Sequence, residues 1–177
     1  MGFSVAMRTR RGRSLVGTRA IQRVQGIRTR NISVCCSISK NGTLHFRKQD
    51  CPFNREYFLG YINEVLEKLR ENGISNAILI MDNVPFHKCR EVRERIVEAG
   101  HSLLLLPPYS PFLNPIEDMF AQWKEKVKRE NPRSEEELLE LIDRKFGEIT
   151  SLNCRNYYLR MLNFIHRCMN REAVNDG

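Results

Sequence analysis

No aspartate or glutamate occurs in the first 49 residues of this 177-residue chain, although that stretch carries 11 lysines and arginines. Acids begin at Asp50, and residues 50–177 hold 18 basic against 21 acidic side chains, so the net charge of +8 comes from the first quarter. Long apolar runs are missing too. The strongest, residues 76–81 and 102–106, fall far short of the roughly 20 residues of a membrane helix. No apolar stretch near Met1 resembles a secretory signal, so neither export nor a membrane partner is expected. Among the six cysteines no pair has the C-x2-C spacing of a zinc knuckle, which leaves reduced thiols of an intracellular protein as the expectation. Internal repeats and low-complexity linkers are also lacking. With 41% hydrophobic and 28% charged residues, the composition is that of a globular domain.

An acid-free, arginine-rich opening on a nearly neutral body suggests a surface for a polyanion, most simply nucleic acid. Arg8, Arg10, Arg11, Arg13 and Arg19 are the candidate contacts. The same composition also fits a mitochondrial presequence, and the RTRRGR cluster at 8–13 also fits a solvated loop or a nuclear address.

Residues 31–39 are β-branched and cysteine-rich and read as a buried strand, with Cys35 and Cys36 on opposite faces. Lys40-Asn41-Gly42 is a turn, and residues 43–48 return as a second strand. Phe58, Tyr61, Ile62, Val65, Leu66 and Leu69 recur at helical spacing before Gly73. Residues 76–82 (NAILIMD) and 102–106 read as strands buried on both faces, separated by a charged helix over 88–99 that Gly100 closes. Four prolines over 107–115 exclude regular structure there. A helix starts at Pro115 with Ile116, Met119, Phe120, Trp123 and Val127 on one face. Ser134-Glu135-Glu136-Glu137 reads as a capping box opening the next helix, and a last helix presents Tyr158, Leu162, Ile165 and Met169. This order describes a three-layer α/β fold with a mixed central sheet flanked by helices.

Asp82 ends a strand, where open α/β sheets place their sites, and Glu117 lies in the first turn of the helix after the proline loop. The 34 residues between them allow one helix, one strand and a loop, a path that can bring both carboxylates to one sheet end. Two clustered carboxylates share a proton or hold a cation, and hard oxygen ligands suit Mg2+ or Mn2+. The plainer readings stay open at this point. Glu117 falls three residues after Asn114, a capping-box spacing, and Asp82-Asn83 is also a turn signal. His87 can touch a phosphate or a metal-bound water, or simply sit in a turn.

Residues 78–87 (ILIMDNVPFH) and 105–124 (LLPPYSPFLNPIEDMFAQWK) resemble the two signature blocks of mariner-type DDE transposases. Residues 1–20 resemble the block after that family's first catalytic aspartate, and the likeness runs to about residue 129. The resemblance implies an RNase H-like fold, shared with retroviral integrases, with Asp82 and Glu117 as the second and third acids of a metal-binding triad. It also implies two-metal phosphoryl transfer with Mg2+ or Mn2+, DNA partners (transposon ends and target) and a possible homodimer or related transposase. A nuclear location follows for a eukaryotic host, a cytoplasmic one for a bacterium.

Departures from the family pattern shape the expectation. The family's first aspartate, in an Asp-Glu pair, falls immediately before the position of Met1, and the helix-turn-helix module is not seen here. Phe112 stands where many members have aspartate, and Phe120 where some have tryptophan. Residues 1–130 are therefore expected to form a catalytic domain with its first strand truncated and its first acid missing, and 131–177 helices packed on it. Such a fragment is expected not to cut DNA alone. A non-catalytic DNA-binding remnant that interacts with related transposases, and a basic nucleic-acid-binding module of other ancestry, are the competing readings.

Overall fold

The computed structural model describes residues 1–7, 13–19, 21 and 30–172. Alternation builds its first layer. In strand β2 (Ile32–Ser39), Ile32, Val34 and Cys36 point into one core while Cys35 packs against a second, as the period of two requires. Lys40 and Asn41 turn the chain, and Gly42, with φ +146°, opens β3 (Gly42–Gln49) in an antiparallel hairpin that shifts register between Ser37 and Ile38. Strand β1 is two residues long (Gly2–Phe3) and pairs antiparallel with β2, Gly2 opposite Ser33. Met1 extends that ladder, its backbone nitrogen donating to Val34 O at 2.9 Å and its carbonyl accepting from Val34 N at 2.7 Å.

Helix α1 (Arg55–Glu71) buries the six apolar residues its periodicity singles out. The Asn54 side chain caps it by accepting from Tyr57 N at 2.8 Å. After it come β4 (Ile78–Met81), a 3-10 turn (Pro85–Lys88), α2 (Arg90–Glu98) and β5 (Ser102–Leu105). Strands β4 and β5 pair in parallel, Ile78 opposite Ser102. Leu79, Met81 and Leu103 pack on α1 and α2, whereas Ile78, Ile80 and Leu104 are 64%, 44% and 51% exposed. The expectation of strands buried on both faces is thus corrected: helices cover one face of this parallel pair and leave the other open. The strands form an antiparallel ladder β1-β2-β3 and a parallel ladder β4-β5, with no ladder joining the two among the described residues.

The other core layer comprises α3 (Pro115–Glu130), α4 (Glu135–Gly147) and α5 (Ser151–Met169). Trp123 is its centre. The ring is fully buried, lies 5.1 Å from Phe3, 5.5 Å from Phe46 and 5.0 Å from Phe146, and donates Nε1–H to Ile142 O at 3.0 Å. Residues on both sides of position 130 share this core: Leu138, Leu141, Ile142, Cys154 and Tyr157 pack with Phe3, Val34 and Trp123. For α5 the apolar spacing gives the wrong phase. Cys154 and Tyr157 are buried, while Leu162 and Met169 are exposed, because apolar residues lie around most of this helix and its period does not choose a side.

Capping also departs from expectation. Ser134 Oγ accepts from Glu137 N at 3.1 Å, but the Glu137 carboxylate takes Arg133 N instead of closing the box. The reciprocal box forms at Thr150 and Asn153 (3.2 and 3.0 Å), where an asparagine fills the place usually held by glutamate or glutamine. Thr150→Ala is expected to cost about 1 kcal/mol, read as a lower urea midpoint at unchanged slope.

Candidate active site

The parallel ladder delivers Asp82 one residue past Met81, at the carboxyl end of β4. The proline loop, with its 3-10 turn Pro111–Leu113, delivers Glu117 in the first turn of α3. Both carboxylates line one cleft of about 970 Å3 that opens between β2 and β4, walled by Cys35, Ile80, Phe120 and Lys124 among others. Their charges interact. Burial first, and the Asp82 charge second, raise the Glu117 carboxyl above its ordinary value.

Asp82 is held in the opposite sense. His87 Nδ1 lies 2.6 Å from Asp82 Oδ1, and this hydrogen bond is the main cause that lowers the Asp82 pKa. The His87 ring is itself fixed, 4.2 Å from Phe58 and 4.7 Å from Phe86. Val84 N also donates to Asp82 Oδ1 at 3.4 Å, so the turn geometry that Asp82-Asn83 suggests is present along with the cleft position. Glu117 is different. The Asn114 side chain makes no capping hydrogen bond, so the capping box that its spacing suggests does not form.

Two carboxylates that share a cleft, one held ionised by a histidine and one raised by burial and by its neighbour's charge, are a suitable donor set for a divalent cation. Among the described residues no group of three or more His, Cys, Asp or Glu side chains is arranged to hold a metal. Burial pushes the Cys35 thiol up to about 12. Lys124 also lines the cleft, and its charge acts on Glu117. It is absent from the candidates drawn from sequence, although seven residues are two helical turns and put it on the face of Glu117.

The arginine-rich opening is only partly visible. Arg8, Arg10 and Arg11 lie outside the described residues, and Arg13 and Arg19 are exposed. All six cysteines are free thiols.

The opposing shifts give a pH signature. An acid raised in the folded state destabilises the fold above its folded pKa, and the penalty fades as pH falls towards the unfolded value of 4.5. Glu117→Gln is therefore expected to raise the melting temperature at pH 7–8, with the gain vanishing towards pH 4. For Asp82 the sign reverses: its stabilisation is complete above the ordinary value of 3.8 and is lost as pH falls through its lowered folded pKa. Asp82→Asn should lower the melting temperature at neutral pH. Thermal melts of both variants from pH 4 to 8 test the pair.

Residues 1–139 match the family described as DDE superfamily endonuclease. Solved structures with the same fold include the Mos1 mariner paired end complex with Mn, at a TM-score of 0.79 and 17% identity over 97% of this chain and 52% of that one. The Mos1 transposase paired-end complex with left transposon end gives 0.76 and 18% over 93% and 50%. The Mos1 transposase catalytic domain with Raltegravir and Mg gives 0.72 and 16% over 83% and 78%. The chain thus spans about half the length of the longer transposase chains it matches. No curated protein sequence matches it.

Proposed function

From a chain that belongs to the DDE superfamily endonuclease family and has the mariner-type transposase catalytic fold, we propose a metal-dependent DNA strand-cleavage and strand-transfer centre built on Asp82 and Glu117. The observation that carries the reading is the shared cleft, in which burial and then the Asp82 charge raise Glu117. Mg2+ or Mn2+, held by these carboxylates, would supply activation of water or a DNA 3′-hydroxyl and stabilisation of the leaving oxygen.

The chain's own side chains support that role from three directions. His87 keeps Asp82 ionised and fixes the carboxylate's orientation through Oδ1, leaving Oδ2 for another partner. Desolvation and the Asp82 charge disfavour the ionised form of Glu117, whose side chain still reaches solvent, and a cation relieves both. Apolar side chains such as Ile80, Met81 and Phe120 line the cleft beside the two carboxylates and lower the polarity around them.

A third acid has a place in this frame. Because Gly2 pairs with Ser33, a residue ahead of Met1 in the same register would lie opposite Cys35, which feels the Asp82 charge. Of the family's Asp-Glu pair set ahead of Met1, the residue opposite Cys35 would face the Asp82 side and its neighbour, opposite Cys36, the other core, because side chains alternate along a strand. The absence of any acid before Asp50 favours a second reading for these 177 residues by themselves: they bind DNA without cutting it. Nicking of supercoiled DNA in Mg2+ or Mn2+ tests both. These 177 residues should bind and not nick, and the same chain carrying Asp-Glu ahead of Met1 should nick. Metal-dependent nicking that survives loss of both Asp82 and Glu117 would overturn the proposal.

A further inference from the structure

Between Glu148 and Glu172 the chain has no acid, yet it carries Arg155, Arg160, Arg167 and Arg171. Two of these form a built surface. At 3.6 residues per turn, Arg160, Phe164 and Arg167 fall on one stripe of α5. Each of the two guanidinium carbons stands 5.8 Å from the centre of the Phe164 ring, within cation–π range. Phe164 in turn packs at 5.5 Å on Phe112, in the 3-10 turn that leads into α3.

The stripe begins at the active-site cleft. Arg160 donates to Asp118 Oδ1 at 2.9 Å, one residue from Glu117. Asn114, Glu117, Asp118, Arg160 and Phe164 line a common small pocket of about 120 Å3. From Arg160 to Arg167 the helix advances about 10 Å, the axial reach of about three nucleotides on one DNA strand.

Resting on the DNA reading above, we propose that the Arg160–Phe164–Arg167 stripe of α5 is a phosphate-backbone contact surface that guides a DNA strand to the Glu117 end of the cleft. The chemistry suits that partner. Guanidinium groups present paired N–H donors that match phosphate oxygens, and an aromatic ring held between them limits the rotamer freedom given up on binding. Their ion pairs within the chain are weak competitors. The Arg160 side of its pair with Asp118 is exposed while Asp118 is partly covered, and Arg167 stands 3.7 Å from Glu172 with both groups partly exposed. Exposed ion pairs of this kind contribute little and exchange readily for phosphate. Phosphate contacts fix register and orientation and carry no base sequence.

The test is the salt dependence of binding to a labelled duplex of roughly 20 base pairs of arbitrary sequence, by fluorescence anisotropy on the full chain. Every phosphate that the protein no longer neutralises flattens the slope of log K against log salt by about 0.9. Arg160→Gln/Arg167→Gln should therefore flatten the slope by about 1.8, and Arg167→Gln alone, which keeps the Asp118 pair, by about 0.9. Removing the same charge from Arg90 and Arg93, exposed on α2 in the other helix layer, should leave it unchanged. A slope unmoved by both α5 variants, with their melting curves intact, overturns this surface and leaves the DNA reading standing. Absence of any salt-sensitive binding by the unaltered chain overturns the DNA reading itself, and this surface with it.

Discussion

Nicking by the chain carrying an Asp-Glu pair ahead of Met1 is expected to fall roughly 10²–10³-fold when either Asp82 or Glu117 becomes alanine. Chelation of the divalent ion should abolish it in every variant. The size of the loss follows from what the two side chains do together. Phosphoryl transfer spreads negative charge over non-bridging oxygens, and the protein's part is to fix compensating positive charge in place. Removing one carboxylate from a shared cleft removes a ligand and also changes the other's ionisation, so the two substitutions should not add. The single variants and the double variant are expected to reach the same floor. Asp82→Ala also leaves His87 Nδ1 without its acceptor at 2.6 Å, whereas Glu117→Ala relieves the repulsion that raises Glu117. Stability should therefore separate variants that activity does not: Asp82→Ala lowers the melting temperature more than Glu117→Ala at pH 7. A nicking rate in either single variant within a few-fold of the parent would mean that the chemistry lies elsewhere.

Trp123→Ala should be the most damaging single change to the fold, at about 3–5 kcal/mol. The ring is fully buried and bridges β1, β3 and α4 through Phe3, Phe46 and Phe146, so its loss opens a cavity where three elements meet. Its Nε1–H is also the donor to Ile142 O, which the truncation would leave buried and without that partner. Against a whole-domain stability of about 5–15 kcal/mol, this is a large fraction, and a melting temperature lower by about 10 °C is expected. Since Trp123 is the only tryptophan, unfolding must be followed by circular dichroism. Trp123→Phe keeps most of the ring packing and loses the hydrogen bond, so its stability should fall between those of the parent and the alanine variant. A cost below about 1 kcal/mol for the alanine variant would show that this core is not closed around the indole.

Local pattern made much of this protein readable. Strand β2 turns Cys35 and Cys36 to opposite cores because side chains alternate, whatever the rest of the chain does. Helix α1 buries the face its spacing marks, and Gly73 and Gly100 take positive φ values of 65° and 79° where helices stop. The signature blocks around Asp82 and Glu117 pointed to a family that the match over residues 1–139 then showed. Where apolar residues have no single phase, pattern failed. Helix α5 turned Leu162 outward, and β4 and β5 exposed a face because no helix covers it. Which side of an element is buried depends on its neighbours, and they come from distant parts of the chain.

Residue order by itself set the element types, the acid-free opening and the two acids 34 residues apart, since these depend on side-chain chemistry and short-range spacing. Only the tertiary structure decided that Asp82 is locked to His87 while Glu117 stays uncapped and raised by burial, and that Arg160 shares a pocket with Glu117. Hydrogen bonds at fixed distances, desolvation and charge–charge interactions are properties of groups brought together by folding. No linear spacing contains them.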